Sequence, residues 1–379
     1  MYPRTFALVE ESCYAALRCA IAMRQVTKVD GTMNEQAHVK KRFTVGIWTF
    51  AFGYFAAYVP YSAMTKALTS GLIADTRVDS FALLPPSVAA SVVGMLILIT
   101  SLRWWRFASH STVMGISLPH PTRHTLVSGI CTGLIVVTTT LAYTIEGVSI
   151  VFAMLLMRGG VLILSPLVDK ITGRHVRWFS WMGLALSLGA VLMAFAEPPR
   201  PGESRFAVSM LLMVDIAIYL SAYFFRLRFM SKLAKSNDPN ATKRYFVEEQ
   251  MIATPSVLFF LGIMAIIGGN EAFMQLRYGF TGFWTSPVLI YGIIIGICSQ
   301  FTGVFGALVL LDKSENAFAV SVNRSSSVMA GVGASVVLWL MYDMAMPSLY
   351  RMVGAGMIIV AILFLTVPPF LEKRRQQRA

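Results

Sequence analysis

Ten long apolar segments in this 379-residue chain restrict what it can fold into. A helix needs about 20 mostly apolar residues to cross a bilayer, and the hydrocarbon core offers no partner to an unpaired backbone group. We therefore predict an all-α membrane protein with ten transmembrane helices. The predicted spans are residues 43–69, 81–102, 125–144, 147–168, 177–196, 206–227, 248–268, 284–311, 316–341 and 348–368.

The charges of the chain agree with this class of protein. Only 13% of the residues are charged, against about a quarter in a soluble domain, although the formal net charge is +13. If the N-terminus lies inside, lysine and arginine concentrate in the loops of one side, which the positive-inside rule makes cytoplasmic. We therefore predict that both termini are cytoplasmic and that nucleic acid is not a partner. The expected location is a bacterial inner membrane, with an organelle membrane as the alternative.

The sequence before the first span is predicted to be a cytoplasmic N-terminal segment, residues 1–42. Met33 is a plausible true start, which would make residues 1–32 upstream sequence; an amphipathic surface helix is the competing interpretation. The four cysteines have no metal or redox spacing, and no glycine-rich phosphate loop precedes a Lys-Ser/Thr pair. We therefore expect no metal, no cofactor and no enzymatic activity.

The two halves of the chain resemble each other. "GICTGLIVVTTTL" begins at Gly129 and "GICSQFTGVFGAL" at Gly296, while "VFAMLLMRGG" begins at Val151 and "AFAVSVNRSS" at Ala317. Five helices are an odd number, so the second half enters the membrane with the opposite orientation, as in many secondary transporters. The sequence thus predicts a 5+5 inverted repeat. Its parts are a first repeat (43–196), a second repeat (206–368) and a basic cytoplasmic tail (369–379).

Two arginines occupy equivalent positions in these repeats. Arg158 lies in the fourth span and Arg324 in the ninth, at about the same membrane depth. An arginine that faces lipid costs roughly 2.5–3.5 kcal/mol at a helix centre, so both are predicted to face a central cavity suited to an anion. The alternatives are that each pairs with a carboxylate such as Asp215, or that Arg324 snorkels to the interface.

Other polar residues share helix faces with this predicted cavity. Tyr54 and Tyr58 are one turn apart, and Asp215 and Tyr219 repeat that spacing in the sixth span, on a face that Tyr223 extends. Interfacial belts, outward snorkelling and helix–helix contacts are the other interpretations of such residues. Glu248 and Glu249 are expected close to water, at the start of the seventh span. The candidate substrate-binding residues are Arg158, Arg324, Asn323, Asp215, Tyr219, Tyr58, Tyr54, Lys66 and Ser327.

The ten helices, the inverted repeat, the short connections within helix pairs three–four and eight–nine, and the segments "VFAMLLMR" and "AFAVSVNR" together resemble the drug/metabolite transporter superfamily (EamA-like proteins, sugar-phosphate and nucleotide-sugar translocators). The resemblance covers residues 43–370 and implies a transporter. Sugar-phosphate and nucleotide-sugar translocators hold substrate phosphate with basic residues on helices four and nine, which Arg158 and Arg324 match. Sugar-phosphate members carry a Lys-Arg pair on helix nine, whereas this chain has Asn323-Arg324.

From these features we expect a secondary transporter that works by alternating access and moves an organic anion, plausibly a phosphorylated metabolite. Exchange of one anion for another is the favoured mechanism, and Asp215 leaves a proton-coupled alternative open. An exporter of amphipathic metabolites or drugs and a lipid-headgroup flippase are the alternative functions. The expected partners are a small-molecule substrate and membrane lipid, with a homodimer left open.

Overall fold

The computed structural model describes residues 46–73, 77–113, 116–142, 150–196, 210–236, 238, 240–344 and 348–376, so the predicted N-terminal segment lies outside the described residues. Eleven α-helices and one two-stranded sheet form in the described residues. The helices are α1 (Ile47–Thr69), α2 (Ser80–Ser101), α3 (Arg123–Ala142), α4 (Ile150–Ile171), α5 (Trp178–Ala196), α6 (Met210–Phe229), α7 (Ala241–Ile267), α8 (Glu271–Phe280), α9 (Leu289–Leu310), α10 (Asn316–Tyr342) and α11 (Leu349–Gln376).

Six of these helices are long and apolar enough to cross a membrane: α2, α3, α6 with the turn that follows it, α7, α9 and α10. The prediction of a helical, multi-pass membrane protein is therefore confirmed at this level. Each predicted span overlaps one helix, and α8 is the additional one. α11 continues to Gln376, through most of the residues predicted to be a tail.

The two ends of the helical bundle are identified by the residues that contact each other there. At one end Lys235, after α6, donates to the carbonyl oxygen of Ser314, after α9, and Arg174, after α4, donates to the same carbonyl. We call this the basic end. At the opposite end Leu68 of α1, Leu83 of α2 and Ile295 of α9 share one apolar cluster. Consecutive long helices thus run between the two ends in alternating directions.

The helix pairs with the most extensive packing join the first five helices to the later ones. α1 packs against α9 and α10, while α6 packs against α3 and α4. α2 packs against α9, α3 packs against α7, and α5 packs against α11. Helices from the two parts of the sequence therefore interleave and do not form two separate bodies.

Two glycines allow close crossings between these helices. A Cβ atom added at Gly129 of α3 would lie 2.6 Å from the Cβ of Ile252 on α7, and one added at Gly296 of α9 would collide with the carbonyl oxygen of Ser87 on α2. The Ser91 hydroxyl donates to the carbonyl oxygen of Gly296 at 2.7 Å and ties α2 to α9. Any larger residue at either glycine would force the helices apart.

The expectation that Glu248 and Glu249 lie close to water is wrong. α7 begins at Ala241, before the predicted start at 248, so both glutamates lie about two turns inside the helix and both are fully buried. Their burial is tolerated because each carboxylate is surrounded by donors, as buried charges require.

Glu248 holds the base of a β-hairpin that the sequence analysis did not predict. Strands β1 (Ser109–Val113) and β2 (Ile116–His120) pair antiparallel between α2 and α3. The Glu248 carboxylate accepts hydrogen bonds from the backbone N–H and hydroxyl of Ser109 at 2.9 and 2.8 Å, from the N–H of Thr122 at 3.1 Å and from the Thr125 hydroxyl at 2.7 Å. One side chain of α7 therefore anchors both ends of the hairpin.

Replacing Glu248 with glutamine is expected to release this hairpin. A glutamine side chain keeps one acceptor oxygen and places an N–H₂ donor either against the donors of Ser109 or against those of Thr122 and Thr125. We predict faster trypsin cleavage at Arg103 and faster amide exchange across the hairpin, measured by mass spectrometry. Glu271→Gln, at an exposed site on α8, is the control and should change neither rate.

Glu249 forms a buried ion pair with Arg226 of α6. The Arg226 Nε donates to Glu249 Oε1 at 2.9 Å, and Nη2 reaches Oε2 at 3.4 Å. The hydroxyls of Ser128 and Thr132 on α3 donate to the same carboxylate at 2.8 and 3.0 Å. The pair therefore ties α3, α6 and α7 together near the basic end.

Candidate substrate site

Arg324 lies in the interior of the bundle, on α10, and is held by a tyrosine of α6. Its Nη2 donates to the hydroxyl of Tyr223 at 2.9 Å, and its guanidinium carbon lies 5.4 Å from the centre of that ring. The Nε of Arg324 is buried and has no hydrogen-bond partner among the described residues. The guanidinium therefore keeps an unused donor.

Arg158, on α4, lies in the same region but is less constrained by its surroundings. Its side chain is partly exposed, and within the described ranges it makes no hydrogen bond or ion pair. Both arginines are close enough to Tyr54 of α1 and Tyr219 of α6 to interact with their hydroxyls electrostatically. We call these residues the arginine–tyrosine cluster: Arg158, Arg324, Tyr54, Tyr219 and Tyr223.

The tyrosines form two similar pairs. Tyr54 and Tyr58 stack at 5.6 Å between ring centres, and Tyr219 and Tyr223 pack at 5.0 Å. The two pairs are 165 residues apart in the sequence, close to the 166 and 167 residues that separate the repeated segments. Tyr58 stacks in turn on Tyr61 at 5.6 Å, which extends an aromatic surface away from the cluster.

Asn323 and Ser327 each donate a hydrogen bond to a backbone carbonyl oxygen, Asn323 on a neighbouring helix and Ser327 on its own. Asn323 Nδ2 donates to the carbonyl oxygen of Gly306 at 3.3 Å, and the Ser327 hydroxyl donates to the carbonyl oxygen of Arg324 at 2.8 Å. A Cβ atom at Gly306 would lie 2.9 Å from the Tyr54 ring and 3.4 Å from the Asn323 amide nitrogen. Asn323 thus supports the wall on which Tyr54 packs, and Ser327 bonds only to its own helix.

Asp215 does not pair with either arginine. Its side chain is 2% exposed, and neither carboxylate oxygen has a hydrogen-bond partner among the described residues. It lies one turn from Tyr219 on the buried face of α6. The alternative in which Asp215 neutralises Arg158 or Arg324 is therefore not what the structure shows.

Lys66 is not part of the cluster. It is exposed in the last turn of α1, about 18 Å along the helix from Tyr54. Tyr223 is the residue of the cluster that the sequence analysis did not select. Its spacing of four residues from Tyr219 was visible, but its bond to Arg324 depends on how α6 and α10 pack.

The chemistry of the arginine–tyrosine cluster suits an anion. Two guanidinium groups, three phenol rings and no carboxylate come together in the described part of the chain. Guanidinium groups bind phosphate or carboxylate oxygens through directional, charge-assisted hydrogen bonds, and tyrosines add hydroxyl donors and flat apolar faces.

Comparison with known proteins is informative about the fold only. No protein-family model matches the chain, and no curated protein matches it. A solved chain reported as "Crystal structure of protein" is similar in structure, with 11% sequence identity and a TM-score of 0.56. The match covers 85% of this chain and 96% of that chain. The helical arrangement is therefore one that another protein of similar length also adopts.

Proposed function

We propose that this chain is a secondary transporter of the drug/metabolite transporter superfamily that moves an organic anion, plausibly a phosphorylated metabolite, by alternating access. The observation that carries the proposal is the arginine–tyrosine cluster. Arg324 donates to the Tyr223 hydroxyl, and both arginines interact electrostatically with Tyr54 and Tyr219 inside an apolar bundle, without a neutralising carboxylate among the described residues. Such groups are costly within a membrane and are found where they serve a substrate path.

The packing of the helices supports a ten-helix inverted repeat. When α1 to α5 are matched in order with α6, α7, α9, α10 and α11, the pair α1–α9 corresponds to α6–α3, and α2–α9 corresponds to α7–α3. The two close glycine crossings correspond in the same way, as do the two tyrosine pairs. A site between such repeats, near the middle of the membrane, is the usual arrangement in secondary transporters.

The substrate class is tested by a thermal-stability screen of the purified protein in detergent. Sugar phosphates, nucleotide sugars and dicarboxylates are compared with organic cations and phospholipid headgroups. A ligand that binds the native state raises the melting temperature according to its occupancy. We expect a shift with phosphorylated anions; shifts with organic cations alone would contradict the proposal and favour drug or metabolite export.

Exchange is the transport mode that we expect from the cluster. Reorienting the empty site would move two guanidinium groups through an occluded state without an anion, which is costly in a low-dielectric interior. Efflux from loaded vesicles should therefore be several-fold faster with external substrate than without it. Equal rates under the two conditions would show a uniporter or an ion-coupled carrier instead.

A further inference from the structure

A network of charged and polar side chains lies at the basic end of the bundle, around the first turn of α10. Arg177, just before α5, forms a two-point ion pair with Glu315, just before α10: Nε to Oε1 and Nη2 to Oε2 are both 2.9 Å. The hydroxyl of Ser180 donates to the same carboxylate at 2.6 Å. This pair joins the first half of the chain to the second.

Asp169 makes a second connection between the halves. Its carboxylate, near the end of α4, accepts from the backbone N–H of Asn316 at 2.9 Å, from the Asn316 amide at 2.8 Å and from the N–H of Ala317 at 2.8 Å. These N–H groups form the first turn of α10, where a negative charge is favoured. Asp169 therefore fixes the start of the helix that carries Arg324.

The turn after α6 completes the network. Lys235 Nζ donates to the carbonyl oxygen of Ser314 at 2.8 Å and to Asn316 Oδ1 at 3.1 Å. Arg174 Nη1 donates to the carbonyl oxygens of Lys313 and Ser314 at 3.2 and 3.1 Å, and Nη2 reaches that of Lys235 at 3.4 Å. Three turns from different parts of the chain are thereby joined.

This network covers the side of the arginine–tyrosine cluster that faces the basic end. Every residue of α10 from Asn316 to Asn323 is buried, whereas Arg324 is partly exposed. About 12 Å of packed helix thus separates the network from Arg324. Outside the network lies an open cavity of about 400 Å³, lined by Arg174, His175, Arg177, Lys313, Ser314 and Glu315.

We propose that Asp169, Arg174, Arg177, Lys235, Glu315 and Asn316 form a gate that closes the basic end and must break in each transport cycle. The inference rests on the proposed alternating access. Residues 169–177 lie at the end of α4 and just before α5, Lys235 follows α6 and residues 315–316 lie at the start of α10, so a relative movement of these helices separates the bonded groups. The structure is then the state closed at the basic end, with the cluster reached from the opposite end.

Lys235 makes this gate sensitive to pH. Burial, with Arg174 beside it, lowers the pKa of Lys235 to about 7, against the attraction of Asp169, Asp312 and Glu315. In the open state Lys235 reaches water, and its pKa rises towards the ordinary value of a lysine side chain. Between these values the open state binds more protons than the closed state, so the closed gate becomes more stable as pH rises above 7.

The test measures from which side a reporter cysteine can be labelled. Tyr58→Cys, at a partly exposed site beside Tyr54, is introduced into a variant without the natural cysteines, and sealed vesicles of each orientation are treated with a membrane-impermeant maleimide. With the gate intact, we expect labelling from the opposite end to be at least tenfold faster than from the basic end. Equal rates from both ends would overturn the proposal. The natural cysteines to replace are Cys13, Cys19, Cys131 and Cys298.

Substitutions in the gate then show whether this network causes the slow labelling from the basic end. Glu315→Gln should raise labelling from the basic end about tenfold, and the exchanged pair Arg177→Glu with Glu315→Arg should restore the slow rate. Lys313→Gln, an exposed change in the same turn, is the control and should have no effect. Folded Glu315→Gln protein that labels like the unaltered protein would also overturn the proposal.

The pH dependence provides a second measurement that does not require a disrupted ion pair. Labelling from the basic end should fall between pH 7 and pH 9, relative to a Lys235→Met variant that lacks the titrating amine; the same dependence in both proteins would contradict the role of Lys235. No substrate is used in any of these measurements. A labelling result that contradicts the gate therefore does not affect the anion screen. A screen that finds no binding anion likewise leaves the labelling result interpretable.

Discussion

Replacing Arg158 with alanine is expected to weaken anion binding roughly 100-fold while the ligand-free protein keeps its stability. The Arg158 side chain makes no hydrogen bond or ion pair with the described residues, so its removal breaks none of the hydrogen bonds or ion pairs in the described part of the fold. A bound phosphate would lose at least one two-point, charge-assisted contact, worth about 2.7 kcal/mol or roughly 100-fold in affinity. The measurement is the melting temperature with and without the best anion from the screen.

Arg324→Ala should lower the stability of the ligand-free protein, unlike Arg158→Ala, and this difference distinguishes the roles of the two arginines. Arg324 donates to Tyr223, so its removal takes this hydrogen bond from a buried hydroxyl and lowers stability even without ligand. Tyr223→Phe keeps the ring and removes only the hydroxyl, and should weaken binding less than either arginine change. Arg277→Ala, an exposed arginine of α8, is the control. An Arg158→Ala protein that still responds to the anion would remove Arg158 from the site.

Replacing Arg226 with methionine is expected to cause the largest loss of stability. Arg226 is buried, and without it the fully buried Glu249 carboxylate keeps, among the residues that the structure describes, only the hydroxyls of Ser128 and Thr132 as donors. Removing one partner of a buried ion pair typically costs 3–5 kcal/mol, because the remaining charge is left uncompensated. Denaturant unfolding in detergent micelles measures this change in free energy.

A neighbouring arginine and a double replacement separate charge from packing in this experiment. Arg228→Met, an exposed change two residues further along the chain, should alter the free energy of unfolding by less than about 0.5 kcal/mol. Adding Glu249→Leu to Arg226→Met removes the unpaired charge and should recover a large part of the loss. If the double variant is less stable than Arg226→Met, the carboxylate is stabilised by groups other than Arg226.

The sequence predicted the helices well wherever the hydropathy of a long segment determines the structure. Each predicted span overlaps a helix, because hydropathy over about 20 residues is a strong and local signal. Helix α8 is only ten residues long and carries Glu271 and Arg277, so no such signal marks it. Glu248 and Glu249 were misplaced for a related reason, since a polar run resembles a loop until its partners on other helices are known.

The side-chain partners within the site could be identified only from the tertiary structure. Equivalent positions in the two repeats indicated that Arg158 and Arg324 belong together, but not which residue would hold either of them. Tyr223 bonds Arg324, and Asp215 bonds neither arginine, although both residues lie on the same face of α6. A spacing of four residues places two side chains on one face, while the reach of each depends on the neighbouring helix.

The interleaved packing of the helices has a consequence for how the protein is made. α1 finds its main partners in α9 and α10, and α3 finds its main partners in α6 and α7, all of which are synthesised later. While the ribosome is still adding the second half, the first five helices can be inserted but cannot complete their contacts. A nascent chain that stops near residue 196 would therefore remain unassembled in the membrane. The two segments, 1–196 and 210–379, expressed together, should find each other because each supplies the surfaces that the other lacks.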